Sequence, residues 1–520
     1  MINQSSVKRV GLKNICMKTA LYWMKRDLRL YDNIALNQAL LKFENVIPIF
    51  IIERSFLTAP DTSPLHTYAI CTALTDLKKR YEERSGQLAI VKGEVIEILE
   101  KINTIVPFDA IYAHEEIGTD RTYERDIAVR RWTKYHQIAF NEYPQTGVFR
   151  NFYNRDDRHK LWKKFTHQDL LEIPNNLHSC TIPKKLNPLL CNNLKEDLTI
   201  PKELPYFTNL DYSQVQNVSE SGAESDLQSF LYERGLGYRG GISSPLTAFH
   251  VGSRTSVHMA WGTLTGRTIY QRTEKRMNEL LELKEQGDPT AGKWRMSLRS
   301  FMSRLHWRDH FIQRLETDPQ MEFQALNVAY ENLQYENDPI HYQAWLTGTT
   351  GFPMIDACVR CLHQTGFLNF RMRALLTSFA CHTLHLSWKL INYPMATLYT
   401  DYEPGIHISQ LQMQASVVGI NTVRIYSPTK QIMDQDPDAI FIKRFVPELR
   451  PFTAEEIKNH TNEKLGTYPP QIVDWKNASS EMRSRIYAVR KQEGYREIAA
   501  KVYEKHGSRR SSGKKKKQNA

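Results

Sequence analysis

The sequence stretch that decides the fold is Trp345-Leu-Thr-Gly-Thr-Thr-Gly-Phe-Pro-Met-Ile-Asp356, continued by Thr365-Gly-Phe-Leu-Asn-Phe-Arg-Met-Arg373. Its two Thr-Gly pairs and the following Phe-Pro predict a turn that leads into a helix near Met354, since proline suits the first turn of a helix. Apolar residues then recur at helical spacing up to Trp388, which predicts a helical run ending there. This stretch therefore predicts short turns between closely packed helices.

The surrounding sequence has the same character over a long range. From Asp226 to about Lys501 the apolar pattern is mainly helical, which predicts an all-α domain over residues 226–505. Residues 151–225 are different, because prolines, asparagines and charges accumulate there and no period persists. We interpret them as a linker that runs over the surface.

The first part of the chain alternates short apolar runs with helical patterns. The predicted strands are Thr19–Met24, Val46–Ile52, Leu88–Val91, Ala110–Ala113 and Ile138–Phe140. The predicted helices between them are Asn33–Leu41, Leu65–Arg84, Glu94–Ile102 and Tyr123–Tyr135. Such alternation predicts an α/β domain with a doubly wound parallel sheet over residues 18–150. No G-x-G-x-x-G follows the first strand, so the dinucleotide fingerprint is absent.

The charge balance favours a polyanionic partner. The formal net charge is +12, and nucleic acid is the commonest partner of a basic protein. Six positive charges lie in the tail 506–520, and without them the net charge is about +6. The tail is polar and of low complexity, which predicts disorder. Both a nuclear-targeting signal and a solubilising extension fit it.

Cysteine usage and hydropathy indicate a compartment. Seven scattered cysteines favour a reducing environment. Cys358 and Cys361 have redox spacing, but they lie in a predicted helix without a second metal-ligand pair, so we predict no metal site. No apolar run reaches the roughly 20 residues of a membrane span, and residues 1–17 form an extension without the apolar centre of a secretory signal. We expect a soluble, monomeric intracellular protein, cytoplasmic or, given the tail, nuclear.

Several motifs, in consistent order and spacing over nearly the whole chain, resemble those of the DNA photolyase/cryptochrome family. They are Trp23–Asn33, Gly252–Thr265, Leu305–Asp309, Trp345–Asp401 and Arg424–Gln431. The resemblance implies an α/β domain followed by a helical FAD-binding domain, with FAD as the cofactor and UV-damaged DNA as the partner.

The family's first motif implies a structural role, and its α/β domain often holds a second pigment. The residues that tie the first strand to the neighbouring domain would be Arg26, Asp27, Arg29 and Asp32. Nothing in the sequence identifies a light-harvesting antenna pigment. Glu115 and Glu116, after the fourth strand, are the candidates for contacts with one.

The resemblance also assigns the cofactor site. Ser253 to Ser256 would hold the FAD pyrophosphate, since hydroxyls and N–H groups at a helix start suit an anion. Taken alone, this stretch would be an ordinary helix cap. Arg373 would pair with Asp401 beside the flavin ring, and we predict catalytic roles for both and for His407. The predicted cofactor-binding residues are Tyr238, Gly252, Ser253, Arg254, Thr255, Ser256, Arg308, Arg373, Asp401, Tyr402, Glu403 and His407.

The lesion-facing residues follow from the same motifs. Trp307 would stack on a flipped pyrimidine pair, and Phe370 and Arg371 would line the same pocket. Arg304 stands where DNA-repairing members commonly carry a glutamate that hydrogen-bonds the damaged bases. This exchange of a carboxylate for a cation puts the usual lesion contact in doubt.

The largest departures follow Asp401. His407 stands where the family has an asparagine that faces flavin N5, and its imidazole could donate a proton to reduced flavin or hydrogen-bond it. A capping or packing role is the alternative. Leu411 replaces the first tryptophan of the electron relay, Trp388 matches the middle one and Tyr335 replaces the outer one. The relay is therefore not intact, and either Tyr402 or Tyr426 supplies the electron or photoreduction is slow.

The leading interpretation is a deoxyribodipyrimidine photo-lyase. Such an enzyme uses light and reduced FAD to split UV-induced pyrimidine dimers by electron transfer. A (6-4) photoproduct is an alternative substrate. The main alternative function is a cryptochrome-like blue-light photoreceptor that binds FAD without repairing DNA.

Overall fold

The computed structural model describes residues 18–151, 155–201, 204, 207 and 210–507. The predicted extension 1–17 and all but the first two residues of the basic tail lie outside them. Within the described part, an α/β unit precedes a larger, mostly helical unit. No helix there is long and apolar enough to cross a membrane.

The first unit is built on a parallel sheet with the strand order β3-β2-β1-β4-β5, so the predicted doubly wound fold is confirmed. The strands are β1 (Thr19–Met24), β2 (Asn45–Ile52), β3 (Ala89–Lys92), β4 (Ala110–His114) and β5 (Ala139–Tyr143). β1 is central, and its Trp23 lies in register with Ile49 of β2 and Ala113 of β4. A central parallel strand is covered on both faces, which explains its continuous apolar sequence.

Helices surround the sheet and make up most of the second unit. The helices of the α/β unit are α1 (Ile34–Lys42), α2 (Arg54–Leu57), α3 (Pro64–Glu82), α4 (Val95–Ile105) and α5 (Asp120–Tyr135). The later helices are α6 (Arg158–Thr166), α7 (Leu194–Asp197), α8 (Glu220–Ser229), α9 (Tyr238–Gly241), α10 (Ala248–Val251), α11 (Ser256–Trp261), α12 (Gly266–Glu285), α13 (Ala291–Thr317), α14 (Pro339–Thr347), α15 (Pro353–Thr365), α16 (Phe370–His382), α17 (Trp388–Thr397), α18 (Pro404–Gln414), α19 (Pro428–Gln435), α20 (Ile440–Phe445), α21 (Ala454–Lys458), α22 (Trp475–Arg490) and α23 (Tyr495–His506).

The region between the two units contacts both of them. The Thr181 N–H donates to the Val46 carbonyl at 3.1 Å, which adds the segment to the edge of β2. On its other side, the Trp162 indole of α6 donates to the Asp309 carboxylate of α13 at 2.8 Å. Residues 155–201, predicted as part of a surface linker, thus include α6 and form specific contacts.

The core of the helical unit contains the stretch that begins at Trp345. That residue is buried, as are Cys358 and Cys361 of α15, which form neither a disulfide nor part of a metal-ligand group among the described residues. The prediction that a helical run ends at Trp388 is wrong, because Trp388 begins α17. The Ser387 hydroxyl accepts from the Lys389 N–H and caps this helix.

Three of the four residues predicted to tie β1 to the neighbouring domain do join the two units. Arg26 donates to the Tyr402 carbonyl at 3.0 Å, Arg29 donates to the Gly262 carbonyl at 2.9 Å, and Asp32 accepts from Arg267 at 2.7 Å. The Asp27 carboxylate differs from the expectation. It accepts from Tyr22 and pairs with His114 at the end of β4, both within the α/β unit.

Candidate cofactor and substrate site

The segment from Asp401 to Glu403 lies between two helices and pairs with both. Arg373 of α16 donates to both carboxylate oxygens of Asp401, at 2.9 and 3.0 Å. Arg308 of α13 donates to the Glu403 carboxylate at 3.1 Å. Burial raises the pKa of Glu403, and Arg308 opposes that shift. The two ion pairs fix α13 and α16 relative to one short stretch of chain.

A glycine allows α18 to approach α13 closely. A Cβ atom added at Gly405 would lie 2.6 Å from the Cα of Ile312, closer than real Cβ atoms come. The approach places the start of α18 against the middle of α13, next to Arg308. The sequence Pro404-Gly405 forms the first turn of α18, where proline needs no N–H partner.

His407 lies in the first part of α18, and its tautomer is defined. Its Nε2 donates to the Asn392 carbonyl at 2.9 Å, which leaves Nδ1 as the acceptor nitrogen. Burial lowers its pKa to about 4, so the ring is neutral at physiological pH. The side chain can accept a hydrogen bond at Nδ1 but is a poor proton donor there.

The predicted phosphate turn holds an arginine, Arg254, that forms no salt bridge with a described residue. Arg254 has a left-handed backbone conformation, with a φ of 62°. Its guanidinium lies 3.8 Å from the ring centre of Phe367, and burial lowers its pKa to about 10. Its Nη1 is buried, with no hydrogen-bond partner in the described structure. Burying a cation without a hydrogen-bonded anion is costly. Asp226 and Asp401 offset part of this cost, and the phosphates of FAD would offset the rest.

The rest of this turn also fits a phosphate, although not through a long helix. The hydroxyls of Ser253 and Thr255 lie 2.9 Å apart, and Arg234 donates to the carbonyls of Gly252 and Ser253. Helix α11, which starts at Ser256, has six residues. The Arg254 side chain and the hydroxyls therefore carry more of the argument than the helix dipole.

Tyr238 belongs to a separate hydrophobic cluster of the helical unit, together with Phe230 and Phe301. Its ring packs edge-on against Phe230 and Phe301, at 5.5 and 5.6 Å between ring centres. The Arg304 side chain reaches its hydroxyl, and burial raises the Tyr238 pKa to about 12. Its predicted contact with FAD stays a prediction.

The predicted lesion-facing aromatics lie on the two helices that pair with Asp401 and Glu403. Trp307 of α13 is half-buried and stacks on Phe311 at 5.8 Å. Phe370 begins α16 and is 57% exposed. Arg371 is the next residue. Its Nε is buried, and no described residue accepts a hydrogen bond from it. A solvent-facing aromatic side chain and an arginine with an unpaired, buried Nε thus occur together at the start of α16.

The relay positions lie in apolar surroundings. Leu411 and Trp388 belong to the same buried core, and Tyr335, which is half-buried, packs against it, but none of the ring contacts among the described residues joins Trp388 to Tyr335. The Tyr335 hydroxyl is buried with no hydrogen-bond partner there, and its pKa is raised by burial. An oxidised tyrosine must lose its proton, and Tyr335 has nowhere to send it. The geometry does not favour this route.

Several residues near the site are not indicated by the sequence alone. His66 of α3 stacks on Tyr402 at 5.6 Å, and its Nε2 lies 2.9 Å from the Tyr399 carbonyl. The indole of Trp261 donates to the Thr400 carbonyl at 2.8 Å. These contacts join residues far apart in the sequence, so no local pattern marks them. The sequence indicated this region only through the motifs Gly252–Thr265 and Trp345–Asp401, which contain or adjoin some of these residues.

The two pigment candidates differ in their surroundings. Glu116 is buried and pairs with Arg125 at 2.7 Å and with Arg26 at 3.6 Å. Its carboxylate is therefore committed to an ion-pair network and is poorly suited to a pigment. Burial raises the pKa of Glu115, which is half-buried. Glu115 stays a prediction for a pigment contact.

Comparison with known proteins identifies the family. The family described as DNA photolyase matches residues 20–168, and the one described as the FAD binding domain of DNA photolyase matches residues 301–488. One curated relative is the chloroplastic/mitochondrial cryptochrome DASH of Solanum lycopersicum, 25% identical over 84% of this chain and 78% of its own. Another is a deoxyribodipyrimidine photo-lyase of Alkalihalophilus pseudofirmus, 26% identical over 82% and 87%.

Solved structures of photolyases have a fold similar to that of this chain. An archaeal photolyase from Sulfolobus tokodaii with two FAD molecules is 25% identical, with a TM-score of 0.74 over 90% of this chain and 100% of that one. A class III photolyase from Agrobacterium tumefaciens shares the fold at 22% identity, with a TM-score of 0.77 over 94% and 100%. The chain belongs to the DNA photolyase/cryptochrome family, and its helical unit is the FAD-binding domain of that family.

Proposed function

We propose that the protein is a light-driven DNA-repair flavoprotein, a deoxyribodipyrimidine photo-lyase that acts as a monomer on UV-damaged DNA. One observation carries the proposal. The helices that present Trp307 and Phe370 are the two that pair with the Asp401–Glu403 segment. Trp307 is adjacent to Arg308, and Phe370 is one helical turn before Arg373. An aromatic, partly exposed surface is thereby built directly onto the cofactor site.

The chain's own residues would have distinct tasks in this activity. Reduced FAD supplies the electron that splits the dimer. Arg254 would compensate the phosphate charge, and the Arg373–Asp401 pair would fix the polar edge of the flavin. Neutral His407 would offer Nδ1 as a hydrogen-bond acceptor. Trp307 and Phe370 would provide stacking faces for the flipped bases.

The electrostatics of the rim suit DNA. Arg304 is exposed and lies one helical turn before Trp307, and Arg371 follows Phe370. These cations would contact phosphates near the flipped bases. Because Arg304 cannot accept a hydrogen bond from a base, lesion recognition would depend on stacking more than on a carboxylate.

The test uses protein reduced chemically with dithionite, so that electron supply does not limit the result. We expect the purified protein to have a flavin spectrum and to split thymine dimers in an oligonucleotide under near-UV or blue light. Trp307→Ala should weaken dimer binding about tenfold, since stacking is worth roughly 1–3 kcal/mol per base. Tyr135→Ala is the matched control, because Tyr135 is 83% exposed on the α/β unit. A reduced, flavin-bound protein that leaves every dimer intact would refute the lyase.

A cryptochrome-like photoreceptor is the second candidate. The loss of aromatic side chains at Leu411 and the isolated hydroxyl of Tyr335 favour it, because a repair enzyme benefits from rapid photoreduction. The same assay with a (6-4) photoproduct separates the alternatives. Repair of that lesion alone would assign a (6-4) lyase, and repair of neither would favour the photoreceptor.

A further inference from the structure

A buried polar cavity lies where the α/β unit meets the helical unit. It is close to the segment Asp401–Glu403, which we call the cofactor segment. Its lining includes Asp61, His66, Arg26, Glu116 and Tyr402. All but Arg26 are less than 9% exposed. The predicted site explains Arg26 through its bond to the Tyr402 carbonyl. It does not explain why a carboxylate, Asp61, is buried beside a tyrosine.

Tyr402 connects this cavity to the cofactor segment. It lies between Asp401 and Glu403 in the chain, and its ring is 5.4 Å from His407, edge to face. On the other side, Tyr402 lines the cavity together with Asp61. The Asp61 carboxylate accepts from the Tyr402 hydroxyl and acts on it electrostatically, as do Arg26 and Glu322. The tyrosine ring therefore lies near the flavin-facing residues, and its proton lies near a carboxylate.

Two other buried tyrosines lack this arrangement. The Tyr399 hydroxyl is buried without a hydrogen-bond partner in the part of the chain described, and the Arg373 guanidinium lies 4.2 Å from its ring centre. A cation against the ring raises the cost of removing an electron, and Arg373 is closer to the Tyr399 ring than Arg26 is to the Tyr402 ring, at 6.0 Å. The Tyr335 hydroxyl also has no described partner. Among these three, only Tyr402 has a base beside its hydroxyl.

Oxidation of a buried tyrosine needs such a base. Removing an electron leaves a positive charge on the ring, which is expensive in a low-dielectric interior. Transfer of the phenolic proton to a neighbouring carboxylate removes that charge, and the acceptor must be within hydrogen-bond reach. The negative charge on Asp61 also favours the loss of the electron.

We infer that Tyr402 is the electron donor for photoreduction of the flavin and that Asp61 is its proton acceptor. In this step Tyr402 would give one electron to light-excited oxidised FAD, its O–H bond would break, and the proton would pass to Asp61. The neutral tyrosyl radical would later take one electron from an external thiol in its thiolate form and recover its proton from Asp61, which restores both side chains. The inference rests on the FAD binding of the proposed function and replaces the broken relay of Leu411 and Tyr335.

The test measures photoreduction directly. Oxidised protein is illuminated anaerobically with dithiothreitol, and loss of the oxidised-flavin absorption is followed per bound flavin. Tyr402→Phe and Asp61→Asn should each slow this loss by about tenfold or more, equivalent to roughly 1.4 kcal/mol in the barrier. Tyr399→Phe is the matched control, because it removes a neighbouring buried hydroxyl, and its rate should stay within about twofold.

Two further readouts separate this role from a structural one. Protein frozen under light should give a tyrosyl radical signal by electron paramagnetic resonance, absent in Tyr402→Phe and present in Tyr399→Phe. The wild-type rate should fall in deuterated water, and that dependence should be lost in Asp61→Asn. Normal photoreduction in Tyr402→Phe overturns the inference, as does slowing in Tyr335→Phe alone.

The result is independent of repair itself. Dithionite-reduced Asp61→Asn should split dimers at the wild-type rate, because chemical reduction bypasses the tyrosine. Failure of dithionite-reduced wild type to repair would refute the lyase while leaving this electron route intact. Slow repair by the reduced Asp61→Asn protein would refute the assignment of Asp61 to electron supply alone.

Discussion

The cofactor segment, Asp401–Glu403, and the relay core, which contains Leu411, Trp388 and Tyr335, lie in the same helical unit but differ in their polar groups. Around Asp401 and Glu403, each carboxylate has a guanidinium partner. Around Leu411 and Tyr335, one side chain is aliphatic and the other has a hydroxyl with no described partner. The groups that would hold a flavin are present, whereas those that would deliver electrons by the usual route are missing. Holding the cofactor and supplying its electrons are therefore separable properties of this chain.

The largest expected effect is the loss of bound FAD when the ion pair of the cofactor segment is broken. Arg373→Met leaves the Asp401 carboxylate, whose side chain is 8% exposed, without its partner. Breaking a buried pair costs about 3–5 kcal/mol, and we expect about 2 kcal/mol here because Arg373 is partly exposed. We expect FAD content to fall at least about tenfold, measured by the ratio of flavin to protein absorption.

The control for this substitution is Arg272→Met. Arg272 pairs with Glu224, whose side chain is 58% exposed. Such a surface pair contributes about 0–1 kcal/mol, so flavin content should be unchanged. Equal flavin content in both variants would contradict the role of the Arg373–Asp401 pair.

A second prediction concerns the packing that holds the cofactor segment in place. Gly405→Ala would put a Cβ against the backbone of Ile312 and should destabilise the protein by about 1–3 kcal/mol. It should also weaken flavin binding, since α18 would move away from α13 and carry Glu403 from Arg308. Chemical denaturation and flavin titration measure the two effects.

Gly292→Ala provides the matched comparison, on helix α13, against which Gly405 packs. An added Cβ at Gly292 meets no atom within 4 Å. Alanine is also preferred to glycine in a helix by roughly 0.5–1 kcal/mol. A stability loss as large as that of Gly405→Ala would show that the close approach is not the cause.

Much of this architecture follows from the sequence, because parallel strands buried on both faces are continuous apolar runs. The predicted strand Thr19–Met24 matches β1, and Val46–Ile52 misses β2 by one residue. The end of α16 was mispredicted at Trp388, since Leu384 and Leu386 continue the apolar pattern. Ser387, which caps α17, was the available signal for a break.

The site was less predictable, for a physical reason. The Arg373–Asp401 contact was expected from motif register. The contacts of Tyr402 with Asp61 and His66 join residues more than 330 positions apart, and only the folded arrangement of the two units brings them together. The left-handed backbone of Arg254 is likewise unmarked, because non-glycine residues seldom adopt it.

The third prediction uses pH to compare a histidine in each region. Burial lowers the pKa of His407, near the cofactor segment, and of His382, in the core, to about 4 in each case. The unfolded value is about 6.5, so the unfolded chain binds protons that the folded chain does not. Stability is therefore complete above about pH 6.5 and falls as the pH decreases toward 4. Each histidine should contribute about 1–2 kcal/mol to the loss by about pH 5.

Denaturation at about pH 7.5 and about pH 5 tests this contribution. His382→Gln and His407→Asn should each reduce the acid-dependent loss, whereas His178→Gln, at an exposed position, should not. If the loss is the same in all three variants, other groups control acid unfolding.

The smallest expected effect concerns the relay core. Trp388→Phe removes the one tryptophan that the relay retains, yet we expect the photoreduction rate per bound flavin to change by less than about twofold, or roughly 0.4 kcal/mol. The reason is that Trp388 can pass an electron toward the flavin only through its neighbours. Leu411 has no oxidisable ring, and among the described residues the contact to the Trp388 ring is that of the Lys389 ammonium, at 5.8 Å, and not that of another aromatic ring. The aromatic core is retained for packing in this interpretation, so the substitution should instead lower stability by about 1 kcal/mol through lost volume. A tenfold slower photoreduction in Trp388→Phe, with Tyr402→Phe unaffected, would restore the core as the electron route and remove the contrast between the two regions.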